Sequence, residues 1–180
     1  MGRFVSAILP GMATLEVEHV YNCSEATFWD RLLLDQDYNE RLFKTELKFP
    51  VWRETKREER DGVMHRTAEV VPYVGEIPAA LKALVGEGIG YEERGVLQRS
   101  PHRYCVEVVP NKLADKVSVK VEMTTKPDGD NRCRRRARAE VVAKIFGVGG
   151  MLEKRLLADL EKSYQKSADF TNRYIAEKSL

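Results

Sequence analysis

Phe146-Gly147-Val148-Gly149-Gly150 separates two stretches of different period, and that change of period decides the fold. Before it, over residues 131–145, Cys133, Arg135, Ala137, Ala139, Val141, Ala143 and Ile145 fall on one face. Arg132, Arg134, Arg136, Arg138 and Glu140 fall on the other. Alternation of that kind reads as a half-buried β-strand. After it, over residues 148–178, Leu152, Leu156, Leu160, Tyr164, Phe170 and Tyr174 recur at helical spacing. A helix of that length extends roughly 45 Å, and its apolar stripe needs a surface to cover it.

Working outward, residues 14–21 alternate as well, with Leu15, Val17, His19 and Tyr21 on one face and Glu16 and Glu18 on the other. Ser24 is placed to cap a short helix carrying Phe28, Trp29, Leu32 and Leu33, and a second short helix follows over 36–43. Residues 46–60 read as a polar strand broken by Pro50, which suits a sheet edge. Asp61-Gly62 supplies a hairpin turn into 63–72. Strands at 89–99, 102–109 and 115–126 follow, the last presenting Val117, Val119, Val121 and Met123 inward. Between the strands, residues 73–88 form an insertion with glycines at both ends and Ile77, Leu81, Leu84 and Val85 in its middle. The order predicts an α+β fold: one strand, two short helices, six more antiparallel strands and a long helix. Residues 14–180 read as one domain and 1–13 as an amino-terminal extension.

Composition excludes several classes of function. Thirty basic against twenty-eight acidic residues give a net charge of +2, too balanced for nucleic acid as the main partner. The arginine row 132–138 has no aromatic platform beside it, so it reads as a solvated strand face with cross-strand glutamates. Cys23, Cys105 and Cys133 are odd in number and widely spaced, which is neither a disulfide framework nor a zinc site. The expectation is a reducing, cytoplasmic setting with no metal and no cofactor. No run is long and apolar enough for a transmembrane helix, and no phosphate loop, nucleophile elbow or histidine pair is present.

The element order, with the first strand feeding the helices through Tyr21-Asn22-Cys23-Ser24 and the glycine-rich lead into the last helix, resembles the helix-grip fold of the START-like (SRPBCC) superfamily. The likeness runs over nearly the whole chain and points to an uncharacterised, mainly bacterial branch that binds lipids or other hydrophobic molecules. It implies a curved seven-stranded sheet wrapped around the carboxy-terminal helix, with a ligand cavity between them. The small side chains facing that helix also leave volume.

Candidate ligand-binding residues are His19, Tyr21, Trp29, Arg66, Tyr91, Glu93, Tyr104, Val119, Val121, Met123, Arg135, Ala137, Leu156, Leu160 and Phe170, with Ile77, Leu81 and Leu84 as a gate. Arg66, Glu93 and Arg135 fall on inward faces, where a charge is costly unless it is paired or meets a ligand. An Arg-Glu pair is the plainer reading, and recognition of an anionic head by Arg135 the sharper one. His19 reads either as a satisfied core histidine or as a contact to a ligand head group. The expected function is non-enzymatic binding, and intracellular transfer, of a lipid or similar molecule by a monomer or weak dimer with transient membrane contact. The alternatives are an enzyme of the polyketide cyclase or aromatase type, and a scaffold or co-chaperone that uses the fold without a ligand.

Overall fold

The structure is a computed structural model that describes residues 4–9, 12–73, 75–76, 79, 82–83 and 89–180. Its strands are β1 (Phe4–Leu9), β2 (Met12–Tyr21), β3 (Val51–Arg60), β4 (Val63–Val71), β5 (Tyr91–Arg99), β6 (His102–Pro110), β7 (Val117–Pro127) and β8 (Cys133–Ala143). They form one antiparallel sheet in the order β1-β2-β8-β7-β6-β5-β4-β3. The seven expected strands are all present, and Phe4–Leu9 adds an eighth beside β2. After β2 the chain crosses to the far edge through two short helices. It then meanders back until β8 lies beside β2.

The first short helix, α1, opens as Glu25–Thr27 and widens to π-type hydrogen bonding over Phe28–Leu33. The second, α2, does the same over Gln36–Glu40 and Arg41–Glu46. Both starts are capped by side chains: Ser24 Oγ accepts from the Thr27 amide at 3.1 Å, and Asp35 Oδ1 from that of Tyr38 at 2.7 Å. The expected strand from residue 46 is corrected here. Arg41–Glu46 remains helical because Leu42 and Leu47 turn into the core, and the strand begins only at Val51, after Pro50. The ladder shifts register between Glu54 and Lys56 on the edge strand β3, whereas Gly95 on β5 pairs regularly with Val106.

The long helix α3 (Gly149–Lys178) packs on β2 and β8. Ala13, Ala137, Ala139 and Ala143 are buried beneath it, and their small side chains let it approach closely. Gly149 is obligatory at the helix start, since a Cβ there would stand 2.2 Å from the Ala143 carbonyl oxygen. The other end is held by Asn172, which accepts from the Asn22 amide and donates to the Val20 carbonyl, each at 3.0 Å. Thus α3 lies against one side of the inner face, and α2 covers part of the rest.

Candidate functional site: a two-lobed cavity with two buried arginines

Between the sheet, α2 and α3 lies a cavity of about 180 Å³, walled by residues such as Leu42, Tyr104, Val121, Met123, Leu160 and Tyr164. A second lobe of about 180 Å³ extends toward Pro72 and Tyr73 over Val117, Val119, Leu152 and Leu156. Phe49, Tyr91, Val108, Leu160 and Ser163 line both, so the lobes adjoin. A dry space of about 150 Å³ is enough for benzene, so each lobe fits one ring and the pair fits a two-ring compound or a medium-length chain. A larger hollow of about 630 Å³ lies on the outer face of the sheet. It is walled by charged side chains that pair in solvent, among them Arg94 with Glu92 and Arg138 with Glu140, and the inner cavity is the one suited to an apolar ligand.

Two arginines reach this cavity, and their surroundings differ. Arg66, on β4, is 5% exposed. Its Nη1 donates to the Leu33 carbonyl at 2.9 Å and its Nη2 lies 3.5 Å from Glu93 Oε1. The Leu33 carbonyl belongs to the end of α1, where helical carbonyls lack partners along the helix, so Arg66 meets both a carboxylate and a helix end. The ring of Tyr104 lies 5.5 Å from its guanidinium. Gly95 makes room for that ring, since a Cβ there would fall 1.9 Å from Tyr104 Oη.

Arg135, on β8, is 6% exposed and also lines the cavity. No carboxylate among the described residues forms an ion pair with it. Its guanidinium sits over the rings of Tyr21 and Tyr164, at 5.2 and 5.0 Å, and its Nη2 meets His19 Nδ1 at 3.2 Å. Its Nε has no hydrogen-bond partner. Cation–π contacts contribute about 0.5–2 kcal/mol each, whereas desolvating the ion costs several, so the charge is only partly compensated. Burial, and secondarily the charge of Arg135, holds the His19 imidazole down to about 4. Burial pushes the Tyr104 and Tyr164 phenols up to about 12, so near neutrality they are hydrogen-bonding groups and not bases.

Of the candidate residues, Arg66, Tyr91, Glu93, Tyr104, Val121, Met123, Arg135 and Leu160 line the first lobe. Val119 and Leu156 line the second, together with Tyr91 and Leu160. Five lie outside the cavity wall. His19 stands behind Arg135, and Tyr21 packs on Phe28 with ring centroids 4.9 Å apart. Trp29 stacks on His102 at 5.4 Å and donates to Thr125 Oγ1 at 2.8 Å. Ala137 is buried in the core, and Phe170 is sealed among Tyr38 and Tyr174. These side chains face inward as expected, but at levels where α1 and the second half of α3 close over the sheet. The gate residues Ile77, Leu81 and Leu84 lie outside the described residues. Lining residues not anticipated include Tyr164, Ser163 and Ser167 of α3 and Asn39 of α2. Two serines interrupting the apolar stripe of a long helix were a signal that this stretch faces space.

The outward arginines are tied down, Arg136 to Glu16 at 2.6 Å and Arg134 to Asp128 at 3.0 Å. No described helix is long and apolar enough to cross a membrane. Among the described residues, no group of three histidine, cysteine or carboxylate side chains is placed to hold a metal.

Solved structures of similar fold include the ZhuI aromatase/cyclase from Streptomyces sp. R1128, with a TM-score of 0.68 at 11% identity over 94% of this chain and 96% of that one. TTHA0849 from Thermus thermophilus matches with a TM-score of 0.65 at 14% identity, over 93% of this chain and 99% of that one. Norcoclaurine synthase from Thalictrum flavum, in complex with dopamine and hydroxybenzaldehyde, matches with 0.62 at 14% identity, over 92% and 87%. At these identities the likeness is one of fold, and it is the helix-grip fold. No curated protein matches the chain. A family model matches residues 16–175, and the chain therefore belongs to the family described as "Protein of unknown function (DUF2505)".

Proposed function

We propose that this protein binds a small, largely apolar molecule with an anionic head, a medium-chain or two-ring acid, in the cavity between the sheet and α3. The observation that carries this reading is Arg135: a buried cation on the wall of an apolar cavity, with an unpartnered Nε and no counter-carboxylate among the described residues. Burying roughly 300 Å² of apolar ligand surface is worth about 7 kcal/mol at 25 cal/mol per Å². Association costs at least about 4, so apolar burial alone supports only weak, roughly millimolar binding. Charge-assisted hydrogen bonds of about 1.5–3 kcal/mol each bring the affinity to roughly tens of micromolar. The head group therefore sets the affinity.

The test compares decanoate with decanol, and naphthalene sulfonate with naphthalene methanol, by calorimetry on the wild type and Arg135→Met. The variant should lose tenfold or more for the anions and little for the alcohols. An equal loss for both members of each pair refutes the reading.

Delivery of such a ligand would bring the cavity mouth to a membrane. Phe146, Met151 and Tyr73 are exposed large apolar side chains, and Tyr73 lines the outer lobe beside Leu152. Lys116, Lys144 and Lys154 are exposed on the neighbouring loops and the second turn of α3. A second reading, in which the site transforms its ligand, is supported by Arg66, Glu93 and Tyr104 sharing the same lobe. Turnover of a keto-containing aromatic precursor, lost in Glu93→Gln, would favour it.

A further inference from the structure

We propose that the cavity takes up its anionic ligand together with a proton, and that His19 is the positioning residue that receives it. The inference rests on the Arg135 reading of the cavity and adds to it the state of the group behind the arginine.

A guanidinium only donates hydrogen bonds. With Arg135 Nη2 at 3.2 Å from His19 Nδ1, that nitrogen must be the acceptor, so the ring is neutral and carries its proton on Nε2. Among the described residues, groups facing the ring come from β8, β2 and α3. From β8 comes Arg135, a positive charge. From β2 itself comes the uncharged Tyr21, two residues along the same face. From α3 come Gln165, as a hydrogen-bond partner, and Asp169, a negative charge. In the unliganded protein burial and Arg135 keep the ring uncharged, against the pull of Asp169.

An anion seated on Arg135 reverses this balance. It cancels the positive charge that repels a proton from the imidazole and adds a negative one on the same side, while Asp169 stays on the other. Protonation converts Nδ1 from acceptor to donor. Arg135 Nη2 then loses its partner in the protein and turns to the ligand, as does its unpartnered Nε. The ligand and a proton from solvent enter as a neutral pair, which lowers the cost of charge in a buried site. Linkage requires the reciprocal effect: if the ligand raises proton affinity, protons raise ligand affinity.

The probe is naphthalene sulfonate, whose charge does not change between pH 4 and 8. In the wild type its affinity should rise about tenfold between pH 7.5 and pH 5. Calorimetry in buffers of different ionisation enthalpy should report uptake of close to one proton at pH 5. In His19→Gln both effects should vanish, and in Arg135→Met the sulfonate should not bind. Imidazole nitrogen chemical shifts of the wild-type protein give a second measurement that needs no variant: His19 should read neutral when free and charged when bound at pH 5. Sulfonate binding that is independent of pH, with His19 neutral in the complex, overturns the proton inference and leaves the anion reading standing. No sulfonate binding at any pH overturns both.

Discussion

Arg66 and Arg135 are both buried, line one cavity and each lie against two aromatic rings, yet their polar partners differ. Arg66 meets a carboxylate and the carbonyl end of α1. Arg135 meets two aromatic faces and a neutral imidazole. A buried ion with its partners in place is part of the fold, because removing it strands the others. A buried ion whose partner is missing costs stability, and such a cost points to a ligand that supplies the partner. Burial alone would not have told the two apart.

The largest expected effect tests the first half of that contrast. Arg66→Met leaves Glu93 without its counter-charge and the Leu33 carbonyl with only the Asn39 amide as a side-chain donor. It should cost about 3–5 kcal/mol, a fall of roughly 6–20 °C in the melting temperature. Adding Glu93→Leu should restore much of the loss, since an apolar pair of similar volume can replace a buried ion pair. Arg135→Met should be neutral or stabilising by up to about 2 kcal/mol while anion binding disappears. Equal thermal losses in the two single variants would erase the distinction.

The next effect follows pH. In the unfolded chain His19 takes up a proton near 6.5, and in the folded chain only near 4. Below pH 6.5 the unfolded state is therefore the better proton binder. The neutral ring's contribution is complete above pH 6.5 and is lost as the pH falls toward 4, by at most about 3 kcal/mol. Denaturation in urea at pH 7 and pH 4.5 should show that loss in the wild type and a smaller one in His19→Gln. Saturating sulfonate should reduce the loss in the wild type, because the ligand and the proton enter together.

Smaller changes sharpen the contrast. Gly95→Ala drives a methyl group into Tyr104 and should cost about 1–3 kcal/mol, whereas Tyr104→Phe, which removes a hydroxyl without a hydrogen-bond partner, should change stability by less than about 1 kcal/mol. Phe146→Asp should leave the melting temperature and sulfonate binding unchanged and reduce cosedimentation with phosphatidylserine vesicles. Unaltered cosedimentation would remove Phe146 from the membrane-contact reading.

The alternating strands, the capped short helices and the long terminal helix were legible in the sequence because each is local: period and cap residues lie within a few positions of one another. So was the inward placement of Arg66, Glu93 and Arg135, since the pleat assigns a face to every second residue. The second short helix runs three residues past its expected end at 43, and the strand expected from 46 starts only at Val51, because this stretch is held by packing of Leu42 and Leu47 and not by a clear period. Which inward residues touch the cavity and which are sealed beneath a helix was decided in tertiary structure. Trp29 and Phe170 were plausible lining residues by type, but on α1 and the second half of α3 they pack into the aromatic core against Phe28 and Tyr38 and not along the cavity wall.

The chain by itself thus determined that charges would lie inside a sheet that holds a helix. Only the tertiary structure decided that one arginine meets a carboxylate and a helix end, and the other does not. Arg66 and Leu33, and Arg135 and His19, are distant in sequence, and whether a buried charge is compensated depends on contacts within a few ångströms that no local pattern encodes.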